Sequence, residues 1–114
     1  WSFGINDRGQ LGLGDNTPGT SHPQMITGVP PITSIACGYN HTGCIDTEAN
    51  LWTFGDNSKG QLCIGNSIDN QAVPLKTGIT SVIKVDCGSL HTIFMNTNDQ
   101  IFSCGFNDNG QLGI

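Results

Sequence analysis

Charged side chains are scarce in this sequence, and basic ones are the scarcest. Of 114 residues, 11% are charged, with 4 Lys and Arg against 9 Asp and Glu. The formal net charge is −5 and the basic residues form no run, so the composition argues against a nucleic-acid-binding surface. Low charge combined with a hydrophobic fraction of 36% also argues against an intrinsically disordered chain.

Long hydrophobic runs are missing as well. No stretch approaches the roughly 20 apolar residues that a membrane-spanning helix needs. No basic segment is followed by an apolar one, which excludes a recognisable signal peptide. The chain opens with Trp1 in place of Met, and we therefore expect a fragment or a processed product.

Signatures of catalysis are also absent. The sequence contains neither a Gly-x-Ser-x-Gly motif nor a Walker loop, and its three His have no nucleophile at an informative spacing. Cys37, His41 and Cys44 would offer three soft metal ligands, but no second pair follows at zinc spacing. We therefore predict a protein that is not an enzyme and that uses no cofactor and no metal.

The cysteines are odd in number and lack the paired spacing of a disulfide framework. There are five of them: Cys37, Cys44, Cys63, Cys87 and Cys104. We expect them to be reduced and buried as small apolar side chains. Because disulfides are rare in the cytosol and the nucleus, this usage predicts a cytoplasmic or nuclear protein.

The strongest signal in the sequence is internal repetition. The pattern aromatic-x-x-Gly-x-Asn-x-x-Gly-Gln-Leu occurs in Trp1–Gly12, in Trp52–Cys63 and in Phe102–Gly113. A second pattern, Cys-Gly-x-x-His-Thr, occurs at Cys37–Thr42 and at Cys87–Thr92. Because both patterns recur with the same period, the chain contains a little more than two copies of one unit.

Alternation of apolar and polar residues predicts strands within each unit. Ile83, Val85 and Cys87 alternate with polar residues, which is typical of a half-buried strand. The other strands are predicted at His41–Asp46, His91–Asn96, Leu51–Phe54, Ile101–Cys104 and Ala72–Lys76. Four short antiparallel strands in a unit of about 50 residues are typical of a propeller blade. The predicted fold is all-β, a partial β-propeller with four-stranded antiparallel blades.

These motifs resemble the regulator of chromosome condensation repeat family. The resemblance rests on Leu51–Asn57 with Gly60–Leu62 and on both copies of Cys-Gly-x-x-His-Thr, and it covers essentially the whole chain. The Gly-His and Trp-Asp pairs of WD-type blades and the Gly-Gly pair of kelch blades are absent. The resemblance implies a seven-bladed propeller. Residues 1–31 would be the outer part of one blade, 32–78 a complete blade and 79–114 most of the next.

A propeller fragment of this size is expected to leave apolar flanks open, at sites such as Trp52, Ile83 and Val85. We therefore predict that its partners include other blades of the same propeller or further copies of the chain. Trp1, Trp52 and Phe102 occupy one repeat position. Core packing is the expected role of all three aromatic side chains.

Candidate partner-binding residues lie on one face of the predicted propeller, where the turn at 38–40 meets the loop at 55–70. The candidates are Tyr39, Asn40, His41, Ser89, Leu90, His91 and Lys59. The two His recur in every unit, so for them we favour a structural alternative, a hydrogen bond to the turn or to a neighbouring blade. The other candidates differ between copies, as partner-specific residues usually do.

The function predicted from these observations is that of a protein–protein interaction module. The alternative implied by the resemblance is part of a guanine-nucleotide exchange factor for a Ran-like small GTPase. Members of the family with that activity engage the GTPase with one propeller face. Exchange needs no covalent chemistry, because preferential binding of the nucleotide-free state suffices to weaken nucleotide affinity.

Overall fold

The computed structural model describes residues 1–14, 17–65 and 69–114. Within these ranges the chain forms strands and no helix, as predicted. The strands are β1 (Ser2–Ile5), β2 (Gly19–Gln24), β3 (Ile32–Cys37), β4 (His41–Asp46), β5 (Leu51–Asp56), β6 (Asn70–Lys76), β7 (Val82–Cys87), β8 (His91–Asn96) and β9 (Ile101–Gly105). No helix in the described ranges is long and apolar enough to cross a membrane.

The described strands form three antiparallel sheets. The first sheet pairs β1 with β2, the middle sheet has the order β3-β4-β5-β6, and the third sheet has the order β7-β8-β9. Successive strands are neighbours, as in an up-and-down propeller blade. Each sheet lies within one of the three predicted segments, whose boundaries themselves stay a prediction.

The two copies of the Cys-Gly-x-x-His-Thr segment are built in the same way. In each copy the Cys pairs with the Thr across a tight turn, Cys37 with Thr42 and Cys87 with Thr92. The register of β3 shifts between Ile32 and Ser34, and that of β7 shifts at the equivalent place. An irregularity repeated at one position indicates that both strands bend alike.

The main hydrophobic core lies between the middle and third sheets. It is formed by Ile45, Leu51, Val82, Val85 and Phe94. The prediction that Val85 lies on an open flank is therefore wrong, because its side chain is 6% exposed beneath the middle sheet. Ile83, in contrast, is 50% exposed.

The repeated aromatic position has three different environments. Trp52 is half-buried, and its indole nitrogen donates to Asp46 Oδ2 at 2.8 Å. Phe102 is 45% exposed but stacks on Phe94 with 5.3 Å between ring centroids. Trp1 is 80% exposed, so its predicted core role is wrong.

The expectation of uniformly reduced, buried cysteines is also wrong. Cys63 and Cys104 form a disulfide between the loop after β5 and strand β9, with their Cα atoms 5.5 Å apart. Among the free cysteines, Cys44 is buried, Cys87 half-buried and Cys37 exposed. Burial raises the pKa of both the Cys44 and the Cys87 thiol to about 11.

Candidate protein-interaction face

The loop that follows β1, β5 and β9 has the same internal hydrogen bonds in all three copies. The Asn of each copy accepts the backbone N–H of the Leu five residues later. The distances are 3.0 Å for Asn6 and Leu11, 3.1 Å for Asn57 and Leu62, and 2.9 Å for Asn107 and Leu112. This bond explains why the pattern requires both an Asn and a fixed spacing to Leu.

The Gln of each loop closes the turn ahead of it. Its side-chain oxygen accepts the backbone N–H two residues earlier, which in the middle copy is Lys59 to Gln61 at 2.8 Å. Gly60, between them, has a φ of 80°, a conformation that side chains disfavour. The middle-copy Gln61 also donates to Asp56 Oδ2 at 2.9 Å. These internal hydrogen bonds fix the conformation of the loop, and therefore also the positions of the exposed residues at its tip.

A buried imidazole, a buried hydroxyl and a backbone carbonyl link the middle sheet to the third sheet, and we call His41, Thr92 and Gln61 the His–Thr–Gln joint. Thr92 donates its hydroxyl hydrogen to the carbonyl oxygen of Gln61 at 2.7 Å. His41 Nε2 lies 2.8 Å from the same hydroxyl oxygen. Because a hydroxyl has one proton to donate, His41 must be the donor in the second bond. The joint therefore requires a neutral imidazole protonated at Nε2 or a charged imidazolium.

The imidazole of His41 is 1% exposed and is strongly biased to its neutral form. Burial lowers the pKa of His41 from 6.5 to about 4. Its Nδ1 is buried and has no hydrogen-bond partner among the described residues. Gly38 lies against the ring, and a Cβ at this position would overlap it. This tight contact explains why the pattern Cys-Gly-x-x-His-Thr has a Gly three residues before the His.

The joint is part of a repeated arrangement. Thr42 donates to the carbonyl oxygen of Gln10 at 3.0 Å, just as Thr92 donates to Gln61. His91, the counterpart of His41, is half-buried, and a Cβ on Gly88 would overlap its ring. The burial of His41 places it inside an interface between sheets, the structural role that the sequence analysis favoured over partner contact.

The exposed candidates lie on the turns between β3 and β4 and between β7 and β8. Tyr39 is 76% exposed, and its backbone N–H donates to the Ser89 carbonyl at 3.2 Å, so the two turns touch. Ser89 is exposed, and Leu90 and Asn40 are half-buried. Asn40 Oδ1 also accepts the side chain of Gln10 at 3.3 Å. The structure therefore brings the turn candidates together on one rim.

Lys59 extends the same rim. Its side chain is exposed, and its ammonium group lies 5.7 Å from the centre of the Phe106 ring, a cation–π contact. The equivalent positions of the other loops carry Arg8 and Asn109, both exposed. We call the surface formed by these loop tips and by the turns at 38–40 and 88–90 the loop rim. Its backbone repeats, whereas its exposed side chains differ.

The opposite face holds a polar network that the sequence analysis missed. Asp46 is 2% exposed and accepts the side chains of Asn50 and Trp52 and the backbone N–H of Glu48 and Asn50. Burial opposes its charge, but the hydrogen bonds outweigh burial and lower the pKa of Asp46 to about 2. Asn96 replaces Asp46 in the next copy and accepts two backbone N–H groups in the same way.

A wide apolar groove lies between the first sheet and strand β3. Its volume is about 730 Å³, and Ile35, Cys37, Tyr39 and Trp1 are among its lining residues. Ile35 is 70% exposed there, whereas Val85, at the equivalent position of β7, is 6% exposed. The sequence analysis expected an open apolar flank but did not place it at Ile35, because alternation shows that a residue faces inward but not whether a neighbour covers it.

No group of three or more His, Cys, Asp or Glu in residues 1–14, 17–65 and 69–114 is arranged to hold a metal ion. Cys37, His41 and Cys44, considered above as ligands, have separate environments. Cys37 is exposed in the groove, His41 bonds to Thr92, and Cys44 is 4% exposed in β4. Among the candidate residues, those that are exposed lie on the loop rim, whereas His41 lies inside the joint.

Repeated sheets joined side by side, with equivalent loops along one rim, define the class of this chain: a segment of a β-propeller. Two models of the regulator of chromosome condensation (RCC1) repeat match it, one at residues 1–45 and 48–95 and the other at 32–61 and 82–111. The chain belongs to the RCC1 repeat family. The resemblance inferred from its motifs is confirmed.

Relatives in this family are much longer than the chain. It is 45% identical to human Protein RCC2 over 76 residues, which are 65% of this chain and 14% of RCC2. It is 38% identical to the human X-linked retinitis pigmentosa GTPase regulator over 77 residues, which are 65% of this chain and 8% of that protein. The similarity therefore concerns the repeats and not the whole relatives.

Solved structures show the same fold. Human WBSCR16 superposes with a TM-score of 0.81 at 22% identity, over 92% of this chain and 28% of that one. Prp20p from Saccharomyces cerevisiae superposes with a TM-score of 0.80 at 24% identity, over 95% of this chain and 29% of that one. The Prp20p structure is described together with binding properties of that protein to Gsp1p and histones.

Proposed function

We propose that this chain is part of a protein-interaction platform, with the loop rim as its contact surface. The proposal rests on one observation: the loop backbone has the same hydrogen bonds in each copy, whereas the exposed side chains at the loop tips differ. Residues common to the copies, such as His41, Thr92 and Gln61, are bonded inside the joint. Tyr39 and Lys59 differ from their counterparts and point outward. Exposed aromatic and basic side chains on a rigid frame are typical of protein-contact surfaces.

A photo-crosslinking experiment tests the rim directly. A photoreactive amino acid replaces Tyr39 on the rim or Glu48, which is exposed on the opposite face. Irradiation of cells that produce the protein should give a defined adduct with a second protein from position 39 and none from position 48. An adduct from position 48 alone, or none from position 39, would contradict the proposal.

The second candidate function is a contribution to nucleotide exchange on a Ran-like small GTPase. Two observations favour it: the family membership, and the relative whose name describes a GTPase regulator. The test measures release of a fluorescent nucleotide from a Ran-type GTPase by the longest protein that contains this segment. Faster release that Tyr39→Ala or Lys59→Ala reduces would support exchange through the rim. An unchanged release rate would eliminate this candidate.

The groove beside β3 points to a further partner, the inner strand pair of a neighbouring propeller unit. In the joint between the middle and third sheets, β3 and β4 cover Val85. Ile35 has the same position in β3 and stands open to the groove. A strand pair like β3–β4, placed against the free edge of β1, would cover Ile35 as Val85 is covered. Another unit of the propeller, or a second copy of the chain, would supply it.

A further inference from the structure

The disulfide between Cys63 and Cys104 lies at a contact that the chain also makes without cysteine. Cys63 takes the loop position of Gly12, and Cys104 takes the strand position of Phe54. Between the first and middle sheets, Gly12 lies so close to the Phe54 ring that a Cβ on the glycine would fall 2.8 Å from Cε2. Between the middle and third sheets, the two cysteines take the positions of both partners of this contact and bond to each other.

Each of the two replacements is unfavourable by itself. Cys63 has a φ of 58°, in the left-handed region that favours Gly, as in Gly12 with its φ of 68°. Replacing the ring seen at Phe54 by a Cys removes most of a large apolar side chain from the interface. The covalent bond between the two sulfurs stabilises the contact that each change alone would weaken. A paired exchange of this kind indicates that the bond itself is the functional feature.

We propose that Cys63 and Cys104 form a redox-responsive clasp that locks the loop of one propeller unit onto the edge strand of the next. The two half-cystines have Cα atoms 5.5 Å apart, a separation that a disulfide spans without backbone movement. In compartments buffered by glutathione, protein disulfides are usually transient or redox-sensing, so the clasp opens and closes there with the thiol balance.

The chemistry of closure is ordinary thiol–disulfide exchange. One cysteine thiolate attacks oxidised glutathione, releases one reduced glutathione and leaves a mixed disulfide. The second cysteine, as its thiolate, attacks the protein sulfur of the mixed disulfide and releases the second glutathione. Two electrons and two protons pass from the protein to glutathione. Opening is the reverse reaction, with two reduced glutathione molecules.

The clasp controls the segment that contributes both to the joint and to the rim. Cys63 is two residues beyond Gln61, whose carbonyl oxygen accepts the Thr92 hydroxyl. Lys59, on the same loop, lies over Phe106, two residues beyond Cys104. Opening the clasp removes the covalent tie between this loop and β9, the outer strand of the third sheet. We expect the loop and β9 to loosen together.

Hydrogen exchange under defined glutathione ratios tests the clasp in the full chain. Residues 57–63 and β9 should exchange about tenfold faster when the pair is reduced, with β4 and β5 little changed. The reduced fraction, measured by thiol alkylation and mass spectrometry, should change within the range of glutathione ratios found in cells. Exchange that is equal in both states, or a bond that stays closed over that whole range, would overturn the proposal.

The repeat itself supplies the matched control. The double variant Cys63→Gly with Cys104→Phe recreates the Gly12–Phe54 contact, and its exchange should be slow and insensitive to glutathione. Cys63→Ser with Cys104→Ser should behave as the reduced protein under all conditions. If the Gly and Phe variant still responded to glutathione, another cysteine would be the sensor and the clasp would be refuted.

Discussion

His41 Nε2 lies 2.8 Å from the hydroxyl oxygen of Thr92, and this contact connects two sheets across 51 residues of sequence. Neither residue type is rare in a strand, and neither is hydrophobic. Their placement nevertheless fixes how one unit meets the next, because the Thr92 hydroxyl donates its one proton to the Gln61 carbonyl and accepts from His41. Both residues are within 1% of complete burial, so neither bond can be replaced by one to water.

The first prediction concerns the pH dependence of stability that His41 causes. Its folded pKa of about 4 lies below the unfolded value of 6.5. The unfolded chain therefore takes up a proton first as the pH falls. Stability is complete above pH 6.5 and declines towards pH 4, by at most about 3 kcal/mol for a shift of this size.

Denaturant unfolding at pH 7, 6, 5 and 4 measures this decline. In His41→Asn the decline between pH 6.5 and 4 should largely disappear, although the variant is less stable at pH 7. His22→Asn is the control, because His22 is exposed, and it should keep the wild-type profile. If wild type and His41→Asn lost stability in parallel over this range, the burial of a neutral His41 would be refuted.

The second prediction concerns the Thr92 hydroxyl. Thr92→Val keeps the shape of the side chain but leaves the His41 N–H and the Gln61 carbonyl without their partner. We expect a loss of about 2 to 4 kcal/mol in the free energy of unfolding. Thr92→Ser keeps the hydroxyl and should cost about 1 kcal/mol, because only a methyl group is lost. Equal losses in the two variants, measured by urea unfolding, would show that packing and not hydrogen bonding matters here.

The third prediction concerns acid stability on the opposite face. The folded pKa of Asp46, about 2, lies below its ordinary value of 3.8, because several donors stabilise the carboxylate. The resulting stability is complete above pH 4 and is lost as the pH falls towards 2. Asp46→Asn, which copies the Asn96 of the next unit, should flatten this part of the profile in thermal unfolding monitored by circular dichroism. Glu48→Gln, at an exposed carboxylate, should leave it unchanged.

The fourth prediction compares two residues at one repeat position. In the chain alone, Val85→Ala should cost about 2 kcal/mol and Ile35→Ala less than about 0.5 kcal/mol, because only Val85 is covered. In a longer protein whose preceding unit fills the groove, the cost of Ile35→Ala should rise to that of Val85→Ala. Chemical denaturation of both lengths of protein measures this rise, and its absence would mean that the groove stays open.

The sequence predicted most of the fold because two independent signals agreed. The strands His41–Asp46 and His91–Asn96 were predicted with their observed bounds, since alternation set their faces and the repeat set their ends. Strand β5 extends to Asp56, two residues beyond its prediction, because Gly55 and Asp56 still pair with β6. The local sequence pattern does not show how far pairing with a neighbouring strand continues.

What the sequence could not supply depends on contacts between units. The bond between Cys63 and Cys104 joins residues 41 apart, and neither cysteine has a partner at informative spacing. The exposure of Trp1 and the burial of Val85 depend on which neighbour is present, and no residue of either strand encodes this. For His41 the useful signal was its recurrence as His91, because a residue that recurs at one repeat position favours a structural contact.

The His–Thr–Gln joint draws its acceptor and its donor from one unit and its bridging hydroxyl from the next. The Thr–Gln part of this arrangement occurs at both contacts between the described sheets, since Thr42 donates to Gln10 at the other one. Duplication or deletion of a whole unit would therefore preserve the Thr–Gln hydrogen bond between neighbours, whereas the Cys63–Cys104 bond would need its own partner. In an array joined in this way, the number of units can differ while the direction in which they follow each other stays the same.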